Sequence, residues 1–362
     1  MPTDRRSVFA SADRLLVVRL SAMGDIIHAM PAIAALRRAK PGLQVGWLVE
    51  ERWAELLCAS SAERLTERSE RKPLADWVHV AKFSSWRRAL FSDKTWREIQ
   101  SCRREVRARK YDIALDLQGA IRSALAARAT GATIRIGSSQ PRESPARMFY
   151  THAVDVQGSH VIEHALSLAS VFAGQALEYV QPPFPIDPTI EAWADRQSEM
   201  FGGKPLAILN PGAGWGAKCW PAESFGAVAR ALAERGMAVL VNHGPGEEAL
   251  AEAVRNSSGE VAVPLKCSVG ELIALTRRAR LFIGGDTGPM HLAAALRVPV
   301  VALFGPTRPE RNGPFGTPNV VLRSSESVYN TTHTHRRDEG LVSIEPQAVM
   351  EAADRLLGEQ HG

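Results

Sequence analysis

Short, largely apolar runs recur along the chain, each followed by a stretch whose apolar positions repeat every three or four residues. In the first half the runs cover residues 15–20, 44–49, 77–80, 112–117 and 133–136. Strand-length runs alternating with helical patterns are the rhythm of a parallel α/β sheet. The segment Gln181-Pro182-Pro183-Phe184-Pro185-Ile186-Asp187-Pro188 breaks that rhythm and predicts a linker. A second series follows at residues 206–210, 238–242, 261–263, 281–284 and 300–303, with helices predicted over 222–235 and 272–279. Near the end, Val349, Ala352, Ala353 and Leu356 are spaced to bury one face of a helix over 347–357. The pattern predicts two wound α/β domains, residues 1–185 and 186–362, facing one another.

Composition agrees with a folded chain and narrows its setting. At 362 residues, 45% hydrophobic and 23% charged, the sequence is long enough for two ordinary domains and too apolar for disorder. Its four cysteines are widely separated and form no C-x-x-C pair, which argues against a disulfide framework or zinc ribbon and for a reducing cytoplasm. Residues 1–14 are polar, with no apolar segment of the secretory kind. The apolar stretch 281–305 is interrupted by Asp286, His291, Arg297 and Pro299, so it reads as strand, helix, strand rather than a membrane span. Net charge is only +5, but residues 82–110 hold ten Lys or Arg against three acids, interleaved with Phe83, Trp86, Phe91 and Trp96. That segment fits an anionic partner, or simply a solvated helix face. No nucleic-acid-binding signature accompanies it, and a phosphorylated lipid would serve.

Candidate chemistry sits at the predicted strand ends. Behind the first run lies Ser21-Ala22-Met23-Gly24-Asp25, placing a carboxylate where strand turns into helix, a position that looks toward ligands in an open parallel sheet. The plain alternative is an N-cap. Further on, Phe282-Ile283-Gly284-Gly285-Asp286-Thr287-Gly288-Pro289-Met290-His291 runs from an apolar strand through a Gly-rich turn into a helix. Such a helix mouth offers free N–H groups to an anion, with Thr287 adding a hydroxyl and His291 one turn in. A capped tight turn is the alternative. The loop Asn210-Pro211-Gly212-Ala213-Gly214-Trp215-Gly216-Ala217-Lys218-Cys219 misses the P-loop template at Ala217 and Cys219, disfavouring an NTPase but leaving a flexible loop that delivers the Lys218 charge. Asp116-Leu117-Gln118-Gly119 with Arg122, joined by Arg142 and Glu143, forms a further polar group at a strand end; turn chemistry would account for it equally. There is no G-x-G-x-x-G after the first run and no D-x-D pair, so neither a dinucleotide fingerprint nor the usual metal-bridging diphosphate motif is present. No metal is expected, and His333 and His335 read as a solvated loop.

Taken together, residues 19–28, the strand end Trp47-Leu48-Val49-Glu50-Glu51, Asp116-Leu117-Gln118-Gly119, Arg142-Glu143, Lys218 and Asp286-Thr287-Gly288-Pro289-Met290-His291 resemble the bacterial ADP-heptose:lipopolysaccharide heptosyltransferases. Within that family the match is most like heptosyltransferase I, in the same order over residues 14–357. The resemblance implies a GT-B fold of two Rossmann-like domains facing a central cleft, the first binding acceptor and the second the ADP-sugar. It implies an inverting, metal-independent transfer of heptose from ADP-heptose to Kdo of Kdo-lipid A, at the cytoplasmic face of the inner membrane, with no cofactor. Asp25 matches the general base. Lys218, Thr287, Gly288 and His291 match donor contacts, and Asp286, Ala213, Gly214, Glu247 and Cys267 fall at donor-lining positions. On the acceptor side the implied residues are Arg87, Arg88, Gln118, Arg122 and Arg142. The chain departs from heptosyltransferase I at Ala213 and Gly214, where two threonines are common, and carries fewer arginines in Ser84-Ser85-Trp86-Arg87-Arg88. Another nucleotide-sugar donor or a second-heptose acceptor therefore stays open, as do a nucleotide-sugar epimerase or hydrolase and a catalytically silent nucleotide-binding partner.

Overall fold

A computed structural model describes residues 12–329 and 338–358. The His333 and His335 loop and residues 1–11 lie outside the described residues. The chain divides into two compact units, Met1–Ile186 and Asp187–Gly362, with the division inside the proline-rich segment.

In the first unit the strands are β1 (Arg14–Val18), β2 (Gln44–Glu50), β3 (Trp77–Ala81), β4 (Ile113–Asp116), β5 (Ile134–Ser138) and β6 (His152–Val154). They form one parallel sheet in the order β3-β2-β1-β4-β5-β6. Four longer helices accompany it: α1 (Met23–Ala39), α2 (Asp93–Ala108), α3 (Ile121–Ala129) and α4 (Val161–Ala173). Residues 15–18 of β1 are wholly buried, which is why that run lacks polar alternation. Helix α1 is buried along nearly its whole length and packs on α4. On β3, buried His79 contacts the Glu105 carboxylate through Nδ1 (2.6 Å) and the Tyr111 hydroxyl through Nε2 (2.7 Å). Gly46 makes room for this group: a Cβ there would lie 1.9 Å from the Tyr111 hydroxyl.

The second unit opens with α5 (Pro188–Met200) and continues β7 (Leu206–Asn210), α6 (Ala222–Glu234), β8 (Ala238–His243), α7 (Glu248–Ser257), β9 (Ala262–Lys266) and α8 (Val269–Arg278). Then follow β10 (Ala279–Gly285), α9 (Gly288–Ala295), β11 (Val300–Phe304), β12 (Asn319–Arg323) and α10 (Pro346–Gly358). Its parallel sheet runs β12-β11-β10-β7-β8-β9. Alternate residues of β7 feed different cores: Ala207 and Leu209 pack with Trp220, Phe225 and Val349, while Leu206 and Ile208 pack with Phe282, Met290 and Phe304. Glu191 and Asp195 of α5 are ion-paired to Arg277 and Arg278, which fastens α5 to α8.

The two sheets share one design. In each, the strand order reverses beside the first strand, between β1 and β4 and between β7 and β10. A crevice outside the carboxyl ends of the strands forms at such a switch point, where ligands of open α/β sheets bind. Strands β6 and β12 were not anticipated from the pattern. Both lie at sheet edges, and neither contains a fully buried residue.

Candidate functional site

At the first switch point the chain leaves β1 and crosses to α1 through Arg19, Leu20, Ser21 and Ala22. The N-cap of α1 is Ala22, which has no side chain to cap with, so the N-cap reading of Asp25 is corrected: Asp25 is the third helical residue. From there its Oδ2 accepts the Ala22 N–H at 3.2 Å, half of a capping box. Its Oδ1 pairs with Arg19 Nη2 at 2.8 Å, and the Asp25 side chain keeps 36% of its surface exposed against 13% for Arg19. The carboxylate is thus held from two sides yet open to solvent.

The β1–α1 connection is stitched to the β4–α3 loop. Arg19 donates to the Leu117 carbonyl, Gln118 Oε1 accepts the Leu20 N–H at 2.9 Å, and Arg122 Nη2 donates to Ser21 Oγ at 2.8 Å. Beneath that loop Asp116 is buried and accepts from the N–H groups of Gln118 and Gly119, from Ser123 Oγ and from the Tyr150 hydroxyl. Burial pushes its carboxyl above the usual range against the pull of these four donors. Asp116 therefore braces the loop that Gln118 and Arg122 use to reach the Asp25 connection. Glu143 joins the same loop by accepting the Ile121 N–H at 2.8 Å. Arg142 is exposed beside it. Arg87 and Arg88 are also exposed but belong to a different connection, between β3 and α2.

The second switch point gathers residues from four loops. Lys218, expected from sequence on a flexible loop, closes a short 3-10 turn, Gly216–Lys218. Its Nζ donates to Asp286 Oδ2 at 2.6 Å and to the Asp286 carbonyl at 3.1 Å, and lies 4.8 Å from the centre of the Trp215 ring. On its other side Asp286 meets His291 Nε2 through Oδ1 at 3.2 Å. Burial alone would raise the Asp286 carboxyl, but the His291 hydrogen bond and the Lys218 charge outweigh it and hold the group far below the ordinary carboxylate range. The acid at the β10 end thus fixes the ammonium and the imidazole around the mouth of α9.

Thr287 is the N-cap of α9, with Gly288 and Pro289 following, and its Oγ1 donates to the Gly285 carbonyl at 3.3 Å. A helix start leaves its first N–H groups without acceptors inside the helix and carries partial positive charge, which together suit a phosphate. Asn210 at the end of β7 donates to the Gly212 carbonyl (2.9 Å) and accepts from Asn242 at the end of β8 (2.6 Å). Glu247 accepts the Gly244 N–H at 2.7 Å, and its carboxylate lies 2.3 Å from where a Cβ on Gly212 would sit, so the two loops close together only with glycine there. Ala213 and Gly214 follow in the same loop, Gly214 exposed. Cys267, after β9, packs against the apolar cluster under α9, and burial followed by the Glu271 charge pushes its thiol up to about 12. Sequence reasoning had not singled out Arg19, Asn210 or Asn242 for a role. A charged residue ending an apolar run and an Asn at each of two strand ends were the available signals.

Two doubly wound parallel units, each with polar side chains at its switch point, are the architecture of the GT-B fold class. The chain belongs to glycosyltransferase family 9 (heptosyltransferase), whose family model matches residues 99–341. It is similar to lipopolysaccharide heptosyltransferase 1 of Pseudomonas aeruginosa, 33% identical over 324 residues covering 86% of this chain and 84% of the relative. It is also similar to a lipopolysaccharide heptosyltransferase 3 of Escherichia coli, 27% identical over 344 residues covering 92% and 96%. A solved structure of E. coli heptosyltransferase WaaC with ADP has the same fold, with a TM-score of 0.77 at 24% identity over 95% of this chain and 99% of that one.

Proposed function

We propose that this heptosyltransferase moves heptose from ADP-L-glycero-D-manno-heptose to Kdo of Kdo-lipid A, the first heptose of the lipopolysaccharide inner core. The observation that carries the reading is the Lys218–Asp286–His291 group at the mouth of α9, an arrangement suited to a nucleotide diphosphate. The donor assignment is supported by the relative named heptosyltransferase 1 and by the solved relatives with ADP and with ADP-2-deoxy-2-fluoro heptose. In this reading Thr287, Gly288, Glu247, Ala213, Gly214 and Cys267 line the donor site, and Gln118, Arg122, Arg142, Arg87 and Arg88 serve the acceptor. The similarity to a heptosyltransferase 3 supports a second reading in which a later heptose acceptor is used, and the Ala213 and Gly214 departures bear on the donor sugar.

The chemistry proposed is a single displacement that draws on no metal. Asp25 takes the proton of a Kdo hydroxyl as that oxygen bonds to the anomeric carbon of the donor. The bond from that carbon to the β-phosphate oxygen breaks on the opposite face, so configuration inverts and ADP leaves. Lys218 and the first N–H groups of α9 take up the charge gathering on the diphosphate. Because the acceptor is a phosphorylated glycolipid, the enzyme works at the cytoplasmic face of the inner membrane, as a peripheral protein.

Mass spectrometry of products after incubation with ADP-heptose and Kdo-lipid A tests the reading. A gain of one heptose is expected, whereas ADP release without an acceptor would favour a hydrolase or epimerase. Asp25→Ala is expected to lower transfer about a thousandfold while ADP affinity holds. Near-normal turnover in that variant would end the base assignment.

A further inference from the structure

We propose that the connection between β3 and α2, together with the first turns of α2, is a membrane-inserting surface that partitions into a bilayer rich in anionic lipid. The inference rests on this surface's own chemistry and gives the peripheral reading above a location. Phe91 is fully exposed (101%), with Leu90 at 51% and Trp96 at 54%, so three large apolar side chains stand in water within seven residues of chain. Isolated exposed hydrophobics need no explanation, but a concentrated group marks an interaction surface. Along the same stretch Arg87, Arg88, Lys94 and Arg97 are exposed, with Asp93 the exposed acid among them, and exposed Arg103 and Arg104 follow further along α2.

The apolar tip is presented by a fixed scaffold. Trp86 is buried, its ring edge-on to Phe83 at 5.3 Å and its indole N–H donating to Glu98 Oε2 at 2.9 Å. Successive backbone bonds from Arg87 N to Phe83 O, Ala89 N to Trp86 O, Ser92 N to Ala89 O and Trp96 N to Ser92 O carry the chain through the turn into α2. Leu90 and Phe91 thus project from an ordered turn, and the cost of ordering them is met on folding rather than on binding.

Charge complementarity selects the occupant. Cations flanking an apolar tip, with a Trp at its margin, match an anionic headgroup layer over hydrocarbon, because Lys and Arg meet the negative surface, Trp favours the interface and Phe and Leu enter the acyl region. Duplex nucleic acid would use the cations, but with its bases stacked on one another it would leave Leu90 and Phe91 in water. Among the described residues no helix is long and apolar enough to cross a membrane.

Co-sedimentation of the full chain with phosphatidylcholine vesicles, with and without phosphatidylglycerol, tests the proposal. Wild type is expected to sediment only with the anionic vesicles, and less so at high salt. The double variant Leu90→Ser/Phe91→Ser should lose about a hundredfold in partitioning, roughly tenfold for each apolar side chain withdrawn from the acyl region. Lys94→Glu/Arg97→Glu should lose a similar factor that depends on salt. Wild-type sedimentation in the Leu90/Phe91 variant, or no wild-type binding to anionic vesicles, would overturn the proposal. Heptose transfer to an acyl-free Kdo acceptor is measured alongside. Its survival in both variants is expected, and its absence in wild type that still binds vesicles would sink the proposed function without touching the membrane surface.

Discussion

Replacing Asp286 by Asn isolates what the buried acid does for the second unit. Its carboxylate is 2.6 Å from Lys218 Nζ, with side-chain exposures of only 6% and 12%. At that distance and an effective dielectric of about 20 the gross attraction is about 6 kcal/mol, most of it offset by the cost of desolvating both groups. The amide keeps an acceptor for Lys218 but leaves its ammonium buried without a counter-charge. A loss of about 3 kcal/mol is therefore expected, at the low end for a broken buried pair. With a urea m-value of about 2 kcal/mol per molar, the corresponding unfolding midpoint falls by about 1.5 M. Adding Lys218→Met should return most of that stability, because an apolar side chain then replaces the orphaned charge. The wild-type advantage should also depend on acid in a defined direction. As the Asp286 carboxyl is held low in the fold, its contribution is complete above the unfolded carboxyl pKa near about 4 and is lost as pH falls toward the folded value. The gap between wild type and Asp286→Asn should accordingly close on acidification. Single and double variants that add to within about 0.5 kcal/mol, or a gap that widens in acid, would refute the coupling.

Lys218→Met is expected to weaken ADP binding between about tenfold and a hundredfold by calorimetry, the loss of one charge-assisted contact to a diphosphate. Tyr150→Phe should cost about 2 kcal/mol in urea unfolding, since it removes one of the four donors on buried Asp116. Cys267, its thiol pushed up to about 12 by burial, should react with iodoacetamide about a thousandfold more slowly in the folded protein than in urea at the same mildly alkaline pH. Gly46→Ala should lower stability by at least about 2 kcal/mol, because its Cβ displaces the Tyr111 hydroxyl from His79.

Much of the architecture was legible because the strands that build it are buried. The run at 206–210 coincides with β7, every residue of which is buried, and the helix predicted at 222–235 is α6 to within a residue. Strands β6 and β12 escaped notice for the opposite reason: an edge strand needs less apolar surface, so its sequence carries a weaker pattern. Candidate residues were legible by position, since a polar group directly behind an apolar run marks the carboxyl end of a strand. Their partners were not. Nothing local to Asp286 points to Lys218, 68 residues earlier, and nothing local to Asn210 points to Asn242.

The sequence by itself determined that there are two wound α/β units, where their strands end, and which acids, cations and glycines stand at those ends, because these follow from apolar periodicity and turn chemistry within a few residues. Tertiary structure decided the state of each group. It made Asp25 the third helical residue tied to Arg19 rather than a cap, matched Lys218 to Asp286 rather than leaving it a free charge, and turned Asp116 into a buried brace. Those outcomes depend on parallel pairing that brings β1 beside β4 and β7 beside β10, and contacts made across a sheet are set by strand order, which no local spacing encodes.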